Sequence, residues 1–424
     1  MSKESSSIIV PALFVATVSV LLFLHAAGWS FEPKSQDQYH WMTMARARDW
    51  SQGLFPMTSL AFSGLTTKEL VSAGLAQLVL GVLAALGLFF ATKWRGSPSW
   101  QSVTAVLAVL ATPGIAQALM PGNWDTQAIA MAGLCWGLAF ACKAAKYREN
   151  GENSKQVASW ACWLFVMVML ALCWGSWPLV AALSVIPALP GFFAVVIVSC
   201  SLLGSVVAMP WIWDKLFYYT SSQGPYSAVL EQQPTDIHWF LASHSFLIVV
   251  TIVSAWYAVK DQDWKTVLLA VVTSLIAALG LASTRFLPFA IPFAALSSAK
   301  AFPVHRNGCL VWLALCVLPM ALFSLPSGWP AVLNENAAEC AGLAAHKNSG
   351  LPLYSYWDEA YALEWSSQLK AWWTDIGAPH ALANFSGWAV LTSRSNSIAE
   401  ADYAALWQTK PLAECGNAKL YLVG

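Results

Sequence analysis

Charge is what this sequence has least of. Only 10% of its 424 residues are charged and 58% are hydrophobic, where a soluble domain carries roughly 25% charged residues. That balance excludes a water-soluble globule for most of the chain and assigns it to lipid. Acidic and basic residues number 22 each, so no net charge selects a partner, and without a basic face nucleic acid is excluded. No pair of the nine cysteines has metal-ligand spacing. Repeats and low-complexity tracts are missing too. The first apolar run, residues 8–29, lacks an Ala-x-Ala-like cleavage site, so it reads as a retained helix rather than a removed signal peptide.

What the sequence does have is long apolar runs. They lie near 8–29, 71–92, 101–120, 127–142, 158–175, 177–189, 191–212, 243–259, 266–282, 286–299 and 308–326, which predicts about eleven spanning helices. With Lys3 on the cytoplasmic side, the loops on that side hold Lys93, Arg95, Lys143, Lys146, Arg148, Lys155, Lys260, Lys265, Lys300 and Arg306. The opposite loops are poorer in Lys and Arg, so the bias predicts a cytoplasmic N-terminus. An odd number of spans then puts the tail outside. The expectation is an all-α polytopic protein of a bacterial inner membrane: residues 1–326 form the membrane domain and 327–424 a small extracytoplasmic α/β unit. Within the tail, 359–372 reads as helix, and 388–392 and 419–423 as extended. Cys340 and Cys415 lie there, an even pair that permits a disulfide in an oxidising space, the alternative being two buried thiols.

Acidic residues gather in the outer segments. Asp37 stands at the start of an amphipathic stretch with Trp41, Met44 and Trp50 available to the interface; it either caps that helix or presents a carboxylate to lipid headgroups. Asp125 precedes a second helix, as its N-cap or as a ligand. Two separated carboxylates at one membrane face suit a hard divalent cation, and Gln127 adds a carbonyl oxygen. Glu231 lies in the irregular Glu231-Gln-Gln-Pro-Thr235 loop, a solvated acid when read alone. His238 reads as an interface residue. Arg285 follows an apolar run, either snorkelling or neutralising phosphate with its planar fork.

In this order the segments resemble the catalytic subunit of the oligosaccharyltransferases, membrane glycosyltransferases of the GT-C fold. Asp37-Gln-Tyr39-His40 ahead of Ala45-Arg46 is similar to that family's first-loop pattern. Gly122-Asn-Trp-Asp125-Thr-Gln127 is similar to its second-loop acidic motif, with Gln127 where the family has an acid. Trp174-Gly175 falls at its Trp-Gly-Gly segment, Glu231-Gln-Gln-Pro-Thr235 at its Ser-Glu-His-Gln-Pro-Thr loop, and Arg285 at an arginine near the lipid-linked pyrophosphate. Tyr356-Trp357-Asp358-Glu359-Ala360 resembles the Trp-Trp-Asp-Tyr-Gly motif that reads the acceptor's Ser/Thr.

The resemblance implies transfer of an oligosaccharide from a polyprenyl-pyrophosphate carrier to an acceptor, asparagine of a protein, at the outer face of the membrane. It assigns catalysis to Asp37 and Glu231, and a Mg or Mn ion to Asp37, Asp125 and Glu231. Arg285, Trp357, Asp358, Tyr39 and His40 would bind substrate. The implied partners are the polyprenyl-linked donor, a secreted or membrane acceptor, and lipid. A related GT-C enzyme moving one sugar from a polyprenyl phosphate, with Asp37 as general base for a hydroxyl, is the alternative. A transporter fits less well, because transporters carry ionisable groups near the bilayer midplane and these spans carry almost none.

Overall fold

The computed structural model describes residues 3–31, 36–48, 54–56, 58, 69–112, 119–121, 126–173, 177–189, 237–282, 286–302, 307–308, 310–312, 314, 335–355, 357–371, 385–392 and 406–424. Up to residue 298 the elements are helical: α1 (Lys3–Ala26), α2 (Gln36–Ala47), α3 (Glu69–Trp94), α4 (Ser99–Leu110), α5 (Thr126–Glu149), α6 (Asn153–Cys173), α7 (Trp177–Val185), α8 (Ile237–Lys260), α9 (Trp264–Ala282) and α10 (Leu287–Ser298). Among the described residues four helices are long and apolar enough to cross a membrane: Ile8–Ala26, Val71–Trp94, Gln127–Glu149 and Asn153–Cys173. The runs expected near 177–189, 243–259, 266–282 and 286–299 coincide with α7 to α10. Those near 191–212 and 308–326 lie wholly or mostly outside the described residues, and the full number of spans with them. The run near 101–120 stops early. Thr112 folds back so that its N–H and hydroxyl both donate to the Val109 carbonyl, at 3.1 and 2.6 Å, and the following Pro113 has no N–H to continue a helix.

Abrupt helix ends bring successive helices side by side. After α3, the Gly96 N–H donates to the Lys93 carbonyl and the Ser97 N–H to that of Thr92, with Gly96 at φ 104. The same pair of bonds closes α5, with Gly151 at φ 72, and α8, where Gln262 takes φ 55. This paired capping stops a helix within one turn, and glycine adopts its left-handed residue without a Cβ clash. Each turn reverses the chain at one end of the bundle, the end where the Lys and Arg residues gather.

Side by side, the helices need small residues where they touch. A Cβ on Gly87 of α3 would come within 2.9 Å of the Trp136 backbone nitrogen on α5. One on Gly137 would meet Ser184 of α7 at 2.8 Å. In lipid, where hydrophobicity does not drive helices together, such close packing is what joins them. Around it Phe23, Leu88, Phe89, Leu107, Leu138 and Phe293 interdigitate in one buried cluster. At the basic end Arg95 crosses between helices: its guanidinium donates to the Leu296 carbonyl (2.8 Å) and to the Thr266 hydroxyl (2.5 Å), with Asp263 at 3.9 Å. Outward, α6 exposes Val157, Leu164, Phe165 and Val168, and α8 exposes Val249, Ile252, Trp256 and Tyr257. On helices of this length such faces belong against acyl chains.

The tail is a separate kind of structure. Helix α11 (Glu335–Lys347), strand β1 (Leu353–Tyr354), helix α12 (Trp357–Ser367) and strands β2 (Gly387–Thr392), β3 (Ala413–Cys415) and β4 (Ala418–Val423) surround a sheet of order β1-β2-β4-β3. Strand β2 runs parallel to β1 (Leu353 opposite Trp388) and antiparallel to β4 (Val390 opposite Leu420). Every residue of β2 is buried, because both faces are covered. On one, Trp388, Val390 and Leu420 pack against Ala337, Cys340, Ala341 and Ala344 of α11. On the other, Ala389, Leu391 and Tyr421 meet Tyr354, Phe385 and Trp407. A strand buried on both faces reads as one apolar run, as Trp-Ala-Val-Leu does here. The helix expected over 359–372 instead ends at Ser367. Gln368 turns to φ 60, and the Leu369 N–H is diverted to the Ser367 hydroxyl at 3.2 Å.

Cys340 of α11 and Cys415 of β3 are joined in a disulfide, with Cα atoms 5.8 Å apart and a sequence separation of 75. Closing a loop of that length restricts the unfolded chain by about 4 kcal/mol in the chain-entropy account. Replacing both cysteines by alanine should therefore lower the melting temperature of the tail unit and hasten its proteolysis. An unchanged protease half-life would show that the bond adds nothing to this small core.

Candidate active site

Helix α2 is the element on which the site is built, and its sequence explains its place. Tyr39, Trp41, Met42, Met44 and Ala45 are buried while Arg46 is exposed, Trp41, Met42 and Met44 packing into the bundle. The Trp41 ring meets Phe55 edge-on at 5.3 Å. Both belong to a cluster containing Met42, Met44, Ala73 of α3 and Cys173 of α6, against which Leu80 of α3, Ile129 of α5 and Trp365 of α12 also pack. The segment after α2 is pinned to the same spot, the Leu54 N–H donating to the Leu172 carbonyl at 2.7 Å. Helix α2 thus closes one end of the bundle, opposite the basic turns.

Helix α12 seats the tail unit on α2. The Arg46 guanidinium lies 3.6 Å from the centre of the Trp365 ring. The His40 ring packs between Trp41 (4.8 Å) and Tyr361 (4.4 Å), and Tyr39 reaches to within 6.5 Å of Trp365. A stacked cation on an exposed ring is worth about 0.5–1 kcal/mol, and each ring pair about 0.5–1.5 kcal/mol beyond its burial. Trp365 thus meets α2 at both Tyr39 and Arg46, while Tyr361 meets His40. His40 and Tyr361 are each the fifth residue of their helix, so their contact brings the early turns of α2 and α12 together.

Helix α12 is itself tightly held. Glu359 is buried and takes the Thr392 hydroxyl on both carboxylate oxygens, at 3.3 and 3.2 Å, tying the first turn to the end of β2. Glu364 accepts the Ala371 N–H at 3.1 Å beyond the last turn. Burial pushes the Glu364 carboxyl above the usual carboxylate range, partly offset by that hydrogen bond and by Lys370.

The predicted site residues fall into this frame unevenly. Asp37 is the second residue of α2, and Trp357 and Asp358 open α12; their backbones are described and their side chains are not. Tyr39 and His40 are described fully, and both rings are engaged with α12. Asp125, Glu231, Arg285 and Tyr356 lie outside the described residues, as do Gly122, Trp174 and the Glu231–Thr235 loop. Ile129, four residues after Asp125, packs in the cluster that also holds Trp41, four residues after Asp37. Among the described residues no group of three His, Cys, Asp or Glu side chains could hold a metal ion. The indole Nε1 of Trp41 and the hydroxyl of Thr43 are buried with no hydrogen-bond partner among the described residues, a costly state for polar atoms. Sequence reasoning missed Tyr361 and Trp365. Their spacing of four puts both on one face of a helix, and that aromatic stripe was the available signal.

Neither a family model nor a curated protein matches the chain. Solved structures do. An oligosaccharyltransferase of Archaeoglobus fulgidus in the apo form gives a TM-score of 0.58 at 12% identity, over 91% of this chain and 70% of that one. The oligosaccharyltransferase AglB from the same organism, in complex with an inhibitory peptide and a dolichol-phosphate, gives 0.54 at 11% identity over the same shares. ArnT from Cupriavidus metallidurans, bound to undecaprenyl phosphate, covers 97% of both chains at 14% identity, but a TM-score of 0.45 is too loose to bear on the fold. The chain has the fold of a GT-C membrane glycosyltransferase. More narrowly, it is the fold of the archaeal oligosaccharyltransferases, and at such identities the likeness establishes fold alone.

Because folding raises the pKa of Glu364, the folded unit binds more protons than the unfolded chain just above the ordinary carboxylate range. Its stability should be greatest below that range and fall as pH rises through the raised value. Glu364→Gln should flatten that slope in pH-dependent melting. An identical slope in the variant would contradict the assignment.

Proposed function

We propose that the chain is a membrane glycosyltransferase transferring an oligosaccharide from a polyprenyl-pyrophosphate carrier to an asparagine side chain at the outer face of the membrane. One observation supports this most: the helix opened by the acid-bearing first-loop motif and the helix opened by Trp357-Asp358 are packed on each other, as a reaction joining a lipid-linked donor to a protein acceptor requires. Residues 1–326 would form the catalytic membrane domain and 327–424 the extracytoplasmic unit, the N-terminus being cytoplasmic.

An amide nitrogen is a poor nucleophile because its lone pair is delocalised, the resonance that gives peptide bonds a rotation barrier of roughly 18–20 kcal/mol. Asp37 and Glu231 would accept hydrogen bonds from the two amide N–H groups, loosening that delocalisation as nitrogen attacks the anomeric carbon, and one of the two carboxylates would take the single proton that nitrogen loses. The bond from that carbon to the pyrophosphate oxygen breaks, and Arg285 would meet the charge left on the departing group. Trp357 and Asp358 would hold the acceptor's Ser/Thr. Tyr39 and His40 contribute by fixing α2 against α12, and the unpartnered Trp41 N–H lies on the Asp37 side of α2, four residues on. Asp37, Asp125 and Glu231 are the oxygen donors that Mg or Mn would take, and a bound divalent ion would supply charge neutralisation among them.

Glu359 favours a second reading. The family's motif has Tyr at this position, whereas here a buried carboxylate is committed to Thr392. A motif rebuilt for packing suits an acceptor hydroxyl with a polyprenyl-phosphate monosaccharide donor, Asp37 then acting as general base.

With a polyprenyl-pyrophosphate oligosaccharide and an Asn-Xaa-Thr peptide, Asp37→Ala should lower turnover at least about a hundredfold, as loss of a group acting in the transition state does. The variant should express normally. Near-wild-type turnover would refute the role of Asp37, and transfer only from a phosphate-linked monosaccharide to a hydroxyl would favour the second reading. Excess EDTA should silence the enzyme and added Mn or Mg restore it; full activity in EDTA would remove the ion from the account.

A further inference from the structure

The Arg46–Trp365 contact is not part of the transfer chemistry, and yet it joins α2 to α12 with the guanidinium 3.6 Å from the ring centre. Trp365 has a double engagement. Its ring carries the Arg46 guanidinium, and it also packs on the cluster that contains Trp41, Phe55, Ala73 and Cys173. Arg46 lies in the last turn of α2, about two and a half turns beyond Asp37. Trp365 lies two turns beyond Asp358 on α12. A rigid helix pair crossed at this point sets, through those turns on each side, how far apart the opening residues of the two helices stand.

We propose that Arg46 and Trp365 are a positioning pair: they fix α12 on α2 and so set the separation between the acceptor-reading start of α12 and Asp37. The inference rests on the transferase reading above for its kinetic consequence, and on contacts alone for its structural one. Neither residue touches substrate in this account. Arg46 stacks its guanidinium on an indole ring. Lysine keeps the charge but loses the planar fork that stacks on the ring, so Arg46→Lys should act as a partial rescue. Phenylalanine keeps a face for the cation, so Trp365→Phe should act likewise.

The test uses the full-length protein in lipid nanodiscs. Amide hydrogen exchange over 357–367 should quicken about tenfold in Arg46→Ala and in Trp365→Ala, because local opening sets the exchange rate. Exchange over 335–347, behind the Cys340–Cys415 bond, should stay unchanged, which separates release of α12 from unfolding of the tail unit. In the transfer assay each alanine variant should raise the peptide KM about tenfold with the donor KM within about twofold, and the double variant should be no worse than either alone. Arg46→Lys and Trp365→Phe should fall between wild type and alanine on both readouts. Unchanged exchange over 357–367, or effects of the two alanines that multiply, would overturn the pairing. A wild-type protein with no transfer on any acceptor would sink the transferase reading instead, and the exchange result would still decide whether the pair holds α12 in place.

Discussion

The joint between α2 and α12 is the constraint on which the rest of this protein depends. It includes a guanidinium on an indole, a histidine between a tryptophan and a tyrosine, and Trp365 packed on the cluster around Trp41. It links two structures built by different rules. On one side is a bundle of apolar helices joined by glycine and alanine contacts. On the other is a disulfide-bonded α/β unit with a two-sided sheet. Helix α2 serves both, burying Trp41, Met42 and Met44 in the bundle and offering Tyr39, His40 and Arg46 to the tail.

The two ends of the bundle do different work. At the basic end, three tight caps and the Arg95 node fix how the helices pair. Arg95 reaches carbonyl, hydroxyl and carboxylate oxygens from α9, α10 and the turn before α9, and a buried charge so supported costs far less than an isolated one. Rigidity there leaves the other end to carry the longer connections. By sequence, the candidate catalytic residues belong to those connections. Loops set on a rigid scaffold are the usual place for chemistry.

Much of this was legible in the sequence because apolar length and alternation are strong signals. Helices α3, α5 and α6 follow their runs, and β2 and β4 follow the Trp388–Thr392 and Lys419–Val423 patterns. The start of α2 at Gln36 agrees with Asp37 as an opening residue. Other features were illegible for physical reasons. Strands β1 and β3 have two and three residues, too few for periodicity to register, and owe their existence to partners distant in sequence. Helix α11 is rich in alanine, with a face set by Ala337, Cys340, Ala341 and Ala344 that only becomes a face once the sheet lies under it. The end of α12 depends on one serine hydroxyl capturing a backbone N–H. At the candidate site the motifs named the segments, but the residues that join them, Tyr361 and Trp365, carry no motif. Pairing across 319 positions, from Arg46 to Trp365, leaves no local trace.

The central claim is that the opening turns of α2 and α12 meet at one end of the bundle. Cysteines at positions 40 and 361, whose native rings stand 4.4 Å apart, test it directly when joined by a short thiol cross-linker in native membranes, with the native cysteines outside the disulfide removed. The account predicts rapid cross-linking at 40–361 and little at a control pair of position 40 with position 343, an exposed site on α11. Equal labelling at both pairs, or none at 40–361, would contradict it.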